Sequence, residues 1–351
     1  MLSKKTLPIN TLKAGMVSST DILFDGSVLL AKGATITESI ILKLKETYII
    51  DRLEVYMEDS AIESSNLKQK TVKELENTFN EFSYSLENIF ENISTLKVAE
   101  MIDIKTFSQK IQEEFISTGT VIRNIVFYGS GNDSIYRHSV NVAAISFILG
   151  KWLGLDEKEL NLLTYSAILH DYGKMKISKD ILSKNKNLTP EELETYKTHP
   201  VIGYHFVNEI PYVDDSVAQA VLLHHERLDG SGYPLQFKGA KVPKFARIIA
   251  IADLFDEANS GRYSEDIKGP LDVLKLIQDD SITKLDSMYC NMFLNHIVNF
   301  YMGENVLLND NRKCKIIQVN VNDLTKPILI DDNGFLDLKL VNHLYVEKFV
   351  V

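Results

Sequence analysis

The chain has 351 residues, 45% of them hydrophobic and 25% charged, enough for a sizeable core with one or two smaller units beside it. Its net charge of −10 argues against DNA as a partner, because duplex binding needs a basic face, but leaves room for a small anionic ligand held through metals. No apolar run approaches the roughly 20 residues that span a bilayer, and "MLSKKTLPINTLKAG" lacks the apolar core of a secretory signal, so a cytoplasmic location is expected.

Residues 1–60 carry short apolar runs broken by "LKAGM", "FDGS" and "AKGA", followed by the helix-like "TESIILKLKET" and by "DRLEVYM", which predicts a small strand-rich unit with one helix. From about Ser64 to Ile125 apolar residues fall at helical spacing, among them Leu75, Phe79, Phe82, Leu86 and Ile89. This predicts an amphipathic connector over 61–130, packed on the next domain or paired with a second copy as a homodimer. The loop "YGSGND" opens a helix-rich region, taken as one domain over 131–302. Residues 303–351 alternate β-branched residues with Asn, Asp and Gly turns, which predicts a small β-rich unit. The expected fold is therefore mainly α, with a helical bundle flanked by small β-rich units at both ends. Cys290 and Cys314 are too few for a disulfide framework or a thiolate metal site and are expected in the core.

The helical region holds an unusual set of donors: His138, His170, His199, the adjacent pair His224 and His225, and the carboxylates Asp171 and Asp253. Neighbouring residues in mid-helix point about 100° apart, so two adjacent histidines serve one cavity only where the helix stops. Asp229, Gly230, Gly232 and Pro234 follow the pair and favour such a stop. Asp253 ends the apolar run "IIAIAD", where a charge requires a partner. The intervals of about 25 to 32 residues match one helix-turn-helix step each, so successive helices could bring one or two ligands each to a common centre. Seven nitrogen and oxygen donors without a thiolate suit two divalent cations, and imidazole plus carboxylate suits Fe or Mn as well as Zn; Fe or Mn is the expectation, with Ni and Mg also open. Asp171 could bridge the two, with His224 and His225 on the second.

With these residues in view, "HDYGK" resembles the signature of the HD superfamily of metal-dependent phosphohydrolases. "HHERLDGSGYP" resembles that of its HD-GYP branch, the bacterial cyclic di-GMP phosphodiesterases. The resemblance runs in order over roughly residues 131–300, through "HSVNVA", "AILHDYGK", "LTPEE", "THPVIG" and "ARIIAIAD". It implies an HD-type bundle and gives the seven donors as metal ligands. It also implies catalytic roles for Asp171 and Lys174, and substrate contacts from Lys174, Gly232, Tyr233, Pro234 and Arg262, with Lys174 at a phosphate and Tyr233 at a guanine base. The expected reaction is hydrolysis of cyclic di-GMP by a metal-bridging hydroxide. The rival readings are a slow cyclic dinucleotide-binding effector and an HD phosphohydrolase for another cyclic dinucleotide. A diguanylate cyclase or adaptor protein is a further candidate partner.

Three departures from the resembling pattern bear on the site. Ser134 stands where members with a third metal place a glutamate, which favours two metals. "DEANSGRYS" replaces the usual "DALTSDRPY", with Glu265 about where a basic residue is common. Gln236 occupies a position where glycine is usual in the loop after Tyr233. His205, His296 and His343 have no partner at ligand spacing and are expected to be structural or exposed.

Overall fold

The computed structural model describes residues 2–8, 12–24, 27–37, 40–41, 44, 52–58, 71–92, 98–115, 118–130, 135–184, 187–210, 213–261, 263 and 266–350. Ser134, Arg262, Glu265 and most of "TESIILKLKET" lie outside these residues.

The N-terminal unit pairs β1 (Leu2–Pro8) antiparallel with β4 (Arg52–Glu58), and β2 (Ile22–Phe24) with β3 (Ser27–Leu30). It rests on the helical body through the Asp21 carboxylate, 3.2 Å from Nε2 of His296. The indole of Trp152 stacks on the same imidazole at 4.7 Å.

The predicted amphipathic stretch folds as α1 (Val72–Asn92), α2 (Val98–Glu114) and α3 (Thr118–Tyr128). On α1, Leu75, Phe79, Phe82 and Leu86 are buried and Ile89 is half-buried, as their spacing requires. The face packs within the chain: Phe79 stacks on Phe115, and Phe90 meets Tyr136 and Tyr172 edge-on. Of the two arrangements expected for this stretch, packing on the next domain is the one observed.

The central bundle comprises α4 (Ile135–Trp152), α5 (Glu157–Leu169), α6 (Lys179–Leu182), α7 (Pro190–Tyr196), α8 (His199–Asn208), α9 (Asp215–Leu223), α10 (Lys244–Asn259), α11 (Pro270–Asp280) and α12 (Ser287–Tyr301). Local signals fix their starts. Asp156 with Glu159, and Thr189 with Glu192, form capping boxes at α5 and α7, and Pro190 takes the first turn of α7. The Asp214 carboxylate accepts from the Ser216 N–H at the start of α9. Helices α4 and α10 are apolar over most of their circumference and run through the core.

The C-terminal unit is a five-stranded antiparallel sheet in the order β8-β7-β6-β5-β9, with β5 (Asn305–Leu308), β6 (Lys313–Asn320), β7 (Asp323–Asp331), β8 (Gly334–Asp337) and β9 (Val346–Phe349). Phe349 packs edge-on against Tyr301 and so joins sheet to bundle. Both cysteines are buried and free, as expected.

Candidate metal centre

Helix ends build the site. The last four carbonyls of an α-helix have no partner within the helix, and three of them here orient an imidazole. His170 follows α5 and places Nδ1 2.7 Å from the Ala167 carbonyl. His199, just past α7, places Nδ1 2.8 Å from the Tyr196 carbonyl. His224 ends α9, with Nδ1 2.7 Å from the Val221 carbonyl. Each Nδ1 must be the donor, since a carbonyl only accepts, so each Nε2 presents a lone pair to the interior. The fourth ring, His138 on α4, reaches the same state differently: its Nδ1–H donates to Oδ2 of Asp256 at 2.7 Å.

The resulting lone pairs face one another. Nε2 of His138 lies 3.3 Å from Nε2 of His170, and Nε2 of His199 lies 3.4 Å from Nε2 of His224. Between these pairs sits Asp171. Its Oδ2 is 3.5 Å from the Nε2 atoms of both His138 and His170, while its Oδ1 is 3.3 Å from His199 Nε2 and 3.9 Å from His224 Nε2. Asp253 completes the centre, with Oδ1 3.0 Å from His138 Nε2 and Oδ2 3.7 Å from His225 Nδ1. All seven donors predicted from the sequence are buried here; His225, the most accessible, is 8% exposed.

This arrangement fits divalent cations. Asp171 Oδ1, both Asp253 carboxylate oxygens and His225 Nε2 are buried without a hydrogen-bond partner, which is costly for neutral or anionic groups that face only other acceptors. One donor atom from each of Asp171, His199, His224 and His225 falls within 4.8 Å of the others, and the same holds for His138, His170 and Asp171. Burial, the largest effect in each case, lowers the affinity of His170, His199, His224 and His225 for a proton, His199 to about 3. The rings are therefore neutral near pH 7, the form that ligates. Burial opposes the charge on Asp171, but Lys174 and the surrounding histidines hold its carboxyl well below the usual range.

Lys174 lies on the short helical turn Tyr172–Lys176 that follows the "HD" pair. Its Nζ is 2.6 Å from Oδ2 of Asp171 and 5.1 Å from the centre of the Tyr196 ring. Burial disfavours its charge, yet Asp171, Tyr196 and Glu257 together hold it protonated. Gly173 makes this approach feasible, since a Cβ there would stand 2.0 Å from the His199 carbonyl oxygen.

The loop after His225 folds back onto the site. Gly232 admits no side chain, because a Cβ would meet backbone atoms of His225 and Arg227 at 2.4 Å. The ring of Tyr233 stacks on His225 at 4.6 Å and 24°, and meets His199 edge-on at 6.3 Å. Gln236 takes φ 54°, the left-handed conformation that glycine adopts freely, so the loop keeps a glycine-like backbone despite the substitution.

Three residues at the site escaped the sequence reading. Asp256 orients His138, and Glu226 is buried with its carboxylate accepting the N–H groups of Leu235 at 2.6 Å and Phe237 at 2.9 Å. Glu226 directly follows the histidine pair, a position that could have drawn notice. Glu257, one turn beyond Asp253 on α10, forms a third donor group with His138 and Asp253 within 4.8 Å. His138 presents a single inward lone pair, so this group and the Asp171 centre compete for it. His296 is buried and hydrogen-bonded away from the site, while His205 and His343 are exposed.

Residues 123–288 match the family described as HD domain. The chain is 34% identical over 158 residues to "Cyclic di-GMP phosphodiesterase response regulator RpfG" of Xanthomonas campestris pv. campestris, covering 44% of this chain and 41% of that protein. It is 38% identical over 129 residues to a "Cyclic di-GMP phosphodiesterase" of Thermotoga maritima, covering 36% and 35%. It is also 29% identical over 197 residues to "3'3'-cGAMP-specific phosphodiesterase 1" of Vibrio cholerae, covering 56% and 45%. The chain thus spans less than half the length of each of these relatives. The fold is shared with an HDG"Y"P protein from Bdellovibrio bacteriovorus, with a TM-score of 0.56 at 19% identity over 85% of this chain and 100% of that one. Residues 123–288 thus carry an HD domain, within a chain that is similar to cyclic di-GMP phosphodiesterases and shares its fold with an HD-GYP-type protein.

Proposed function

We propose that this protein is a metal-dependent phosphodiesterase that hydrolyses cyclic di-GMP. The observation that carries the reading is the placement of Asp171, one carboxylate oxygen facing His138 and His170 and the other facing His199 and His224. Two divalent cations held by these residues, with His225 and Asp253, would supply Lewis acidity toward a phosphoryl oxygen and a water activated at neutral pH. Imidazole with carboxylate suits Fe or Mn as well as Zn; Fe or Mn is the proposed metal, with Zn, Ni and Mg as alternatives.

The chain's own residues do the rest. Burial keeps four imidazoles unprotonated, so they hold cations rather than protons. Lys174 keeps its positive charge beside Asp171 and stabilises the negative charge that develops on the phosphoryl oxygens. Gly232, Tyr233 and Pro234 form the wall nearest His225 and contact the dinucleotide, with Arg262 as its further anchor. The proposed organisation is a strand-rich unit over 1–60, a helical connector over 61–130, the catalytic domain over 131–302 and a β-unit over 303–351.

No helix among the described residues is long and apolar enough to cross a membrane, and a cytoplasmic location is proposed. A homodimer through 61–130 would use the outward face of α1, where Tyr84 is 67% exposed, since the apolar face is already packed. A diguanylate cyclase or adaptor protein is the other proposed contact.

The test is turnover of cyclic di-GMP by anaerobically prepared, metal-replete protein, alongside 3'3'-cGAMP and a binding isotherm. Rapid loss of cyclic di-GMP supports the reading. Stoichiometric binding with negligible product would establish an effector, and preferential cleavage of 3'3'-cGAMP would move the substrate assignment.

A further inference from the structure

A chain of hydrogen bonds, part-buried at Glu76 and fully buried from Asn141 onward, runs from the connector helix α1 to His138, and the direction of each bond is forced by the one before it. The Glu76 carboxylate on α1 accepts from both terminal nitrogens of Arg137, at 3.0 and 2.8 Å. Those nitrogens also donate to Asn80 at 2.9 Å and Asn124 at 3.0 Å, while Nε donates to Oδ1 of Asn141 at 3.0 Å. All five N–H groups of the guanidinium are thereby engaged. Because Oδ1 of Asn141 is taken by Arg137, its amide cannot flip, and Nδ2 must donate onward to Oδ1 of Asp256 at 2.6 Å. That leaves Oδ2 of Asp256 to accept from His138 Nδ1, which turns the lone pair of Nε2 toward Asp253 and His170.

We propose that Glu76, acting through Arg137, Asn141 and Asp256, is a positioning residue for His138, so that the seating of α1 sets how tightly the centre holds its cation. This rests on the metal reading above. The geometry makes the link specific. The side chain of Arg137 is 6% exposed and sits over the Phe79 ring at 4.5 Å, so the guanidinium has no freedom to turn away from the relay. Glu76 is its only carboxylate partner among the described ion pairs, and it is contributed from outside the HD-matched segment 123–288. A displacement of α1 would withdraw two acceptors from Arg137 and release the constraint on Asn141.

The experiment compares Mn(II) affinity of the full chain, by titration of chelator-treated protein, in the wild type and in Glu76→Gln, Asp256→Asn and the double variant. Leu86→Val, buried on the same helix but outside the relay, controls for weakened packing of α1. Urea unfolding of the metal-free proteins reports stability separately. The expected result is a loss of affinity of about tenfold in Glu76→Gln, at the lower end of the effect of partners behind a ligand. The double variant should be no weaker than Asp256→Asn alone, because the two act through one path. Leu86→Val should bind like wild type at a comparable loss of stability. Wild-type affinity in Glu76→Gln, additive losses in the double variant, or an equal loss in Leu86→Val would overturn the relay. Failure of the wild type to bind Mn(II) would instead sink the metal reading and the relay with it.

Discussion

His138 Nδ1 lies 2.7 Å from Oδ2 of Asp256, and this one hydrogen bond decides which nitrogen of His138 faces the other donors. The two residues are 118 positions apart, on α4 and α10, the two helices most deeply sunk in the core. Asp256→Asn offers His138 an amide in place of a charge and allows the ring to turn over. Cation affinity should fall about 10–100-fold with the fold retained. Competition with a chromophoric chelator measures it, and an unchanged affinity would show that packing alone orients the ring.

Replacing His170 and Asp171 together with alanine should remove bound metal and abolish phosphodiester hydrolysis. It should also destabilise the protein, because Lys174 is buried and loses the carboxylate 2.6 Å from its ammonium. Breaking a buried pair on one side costs about 3–5 kcal/mol. Adding Lys174→Met should recover much of that stability and none of the activity. Metal analysis with urea unfolding checks both halves; a double variant as stable as wild type would mean that Lys174 finds water or another partner.

Tyr233, the residue proposed to meet a guanine base, has its ring stacked on His225. An aromatic pair of this kind contributes about 0.5–1.5 kcal/mol. Tyr233→Ala should therefore lower activity on cyclic di-GMP and on bis(p-nitrophenyl) phosphate in parallel, with some loss of bound metal, while Tyr233→Phe keeps both. A rise in KM for cyclic di-GMP alone would instead assign Tyr233 to the base rather than to support of His225.

Glu226→Gln leaves one acceptor oxygen where two backbone N–H groups now find partners. Leaving a buried donor unpaired costs about 1–3 kcal/mol. The loop over Leu235 to Phe237 should exchange its amide hydrogens faster, and KM should rise more than kcat falls. Hydrogen exchange by mass spectrometry is the direct check; unaltered protection would mean the loop is held elsewhere.

Metal-depleted protein should lose stability on acidification well before ordinary carboxylates titrate. His199 is lowered from 6.5 to about 3, by burial first and then by Lys174, and His170, His224 and His225 shift the same way. The unfolded chain thus takes up protons that the folded one refuses. Stability is full above about pH 6.5 and falls as pH drops toward 3, by about 1.4 kcal/mol per pH unit for each histidine. Asp171 and Asp253, both lowered, add a loss of the same sign at still lower pH. Urea midpoints in chelator across about pH 5 to 8 test the slope; a flat profile would contradict the burial of these rings.

The sequence by itself determined the helical class, the resemblance to the HD-GYP family and the stop at His224, because each is written in local chemistry: helical periodicity in α1, the capping residues of α5 and α7, and the Asp-Gly-Ser-Gly-Tyr-Pro turn. It also singled out seven donors by residue type and interval. Only the tertiary structure decided which atoms of those donors face inward, since tautomer and carboxylate orientation depend on partners remote in the chain, such as Asp256 for His138. It likewise decided that Tyr233 lies on His225 and that α1 turns its apolar face into the chain and its Glu76 toward Arg137. Periodicity reports that a face will be buried; what it is buried against is a matter of how separate helices pack, and no spacing along one helix records it.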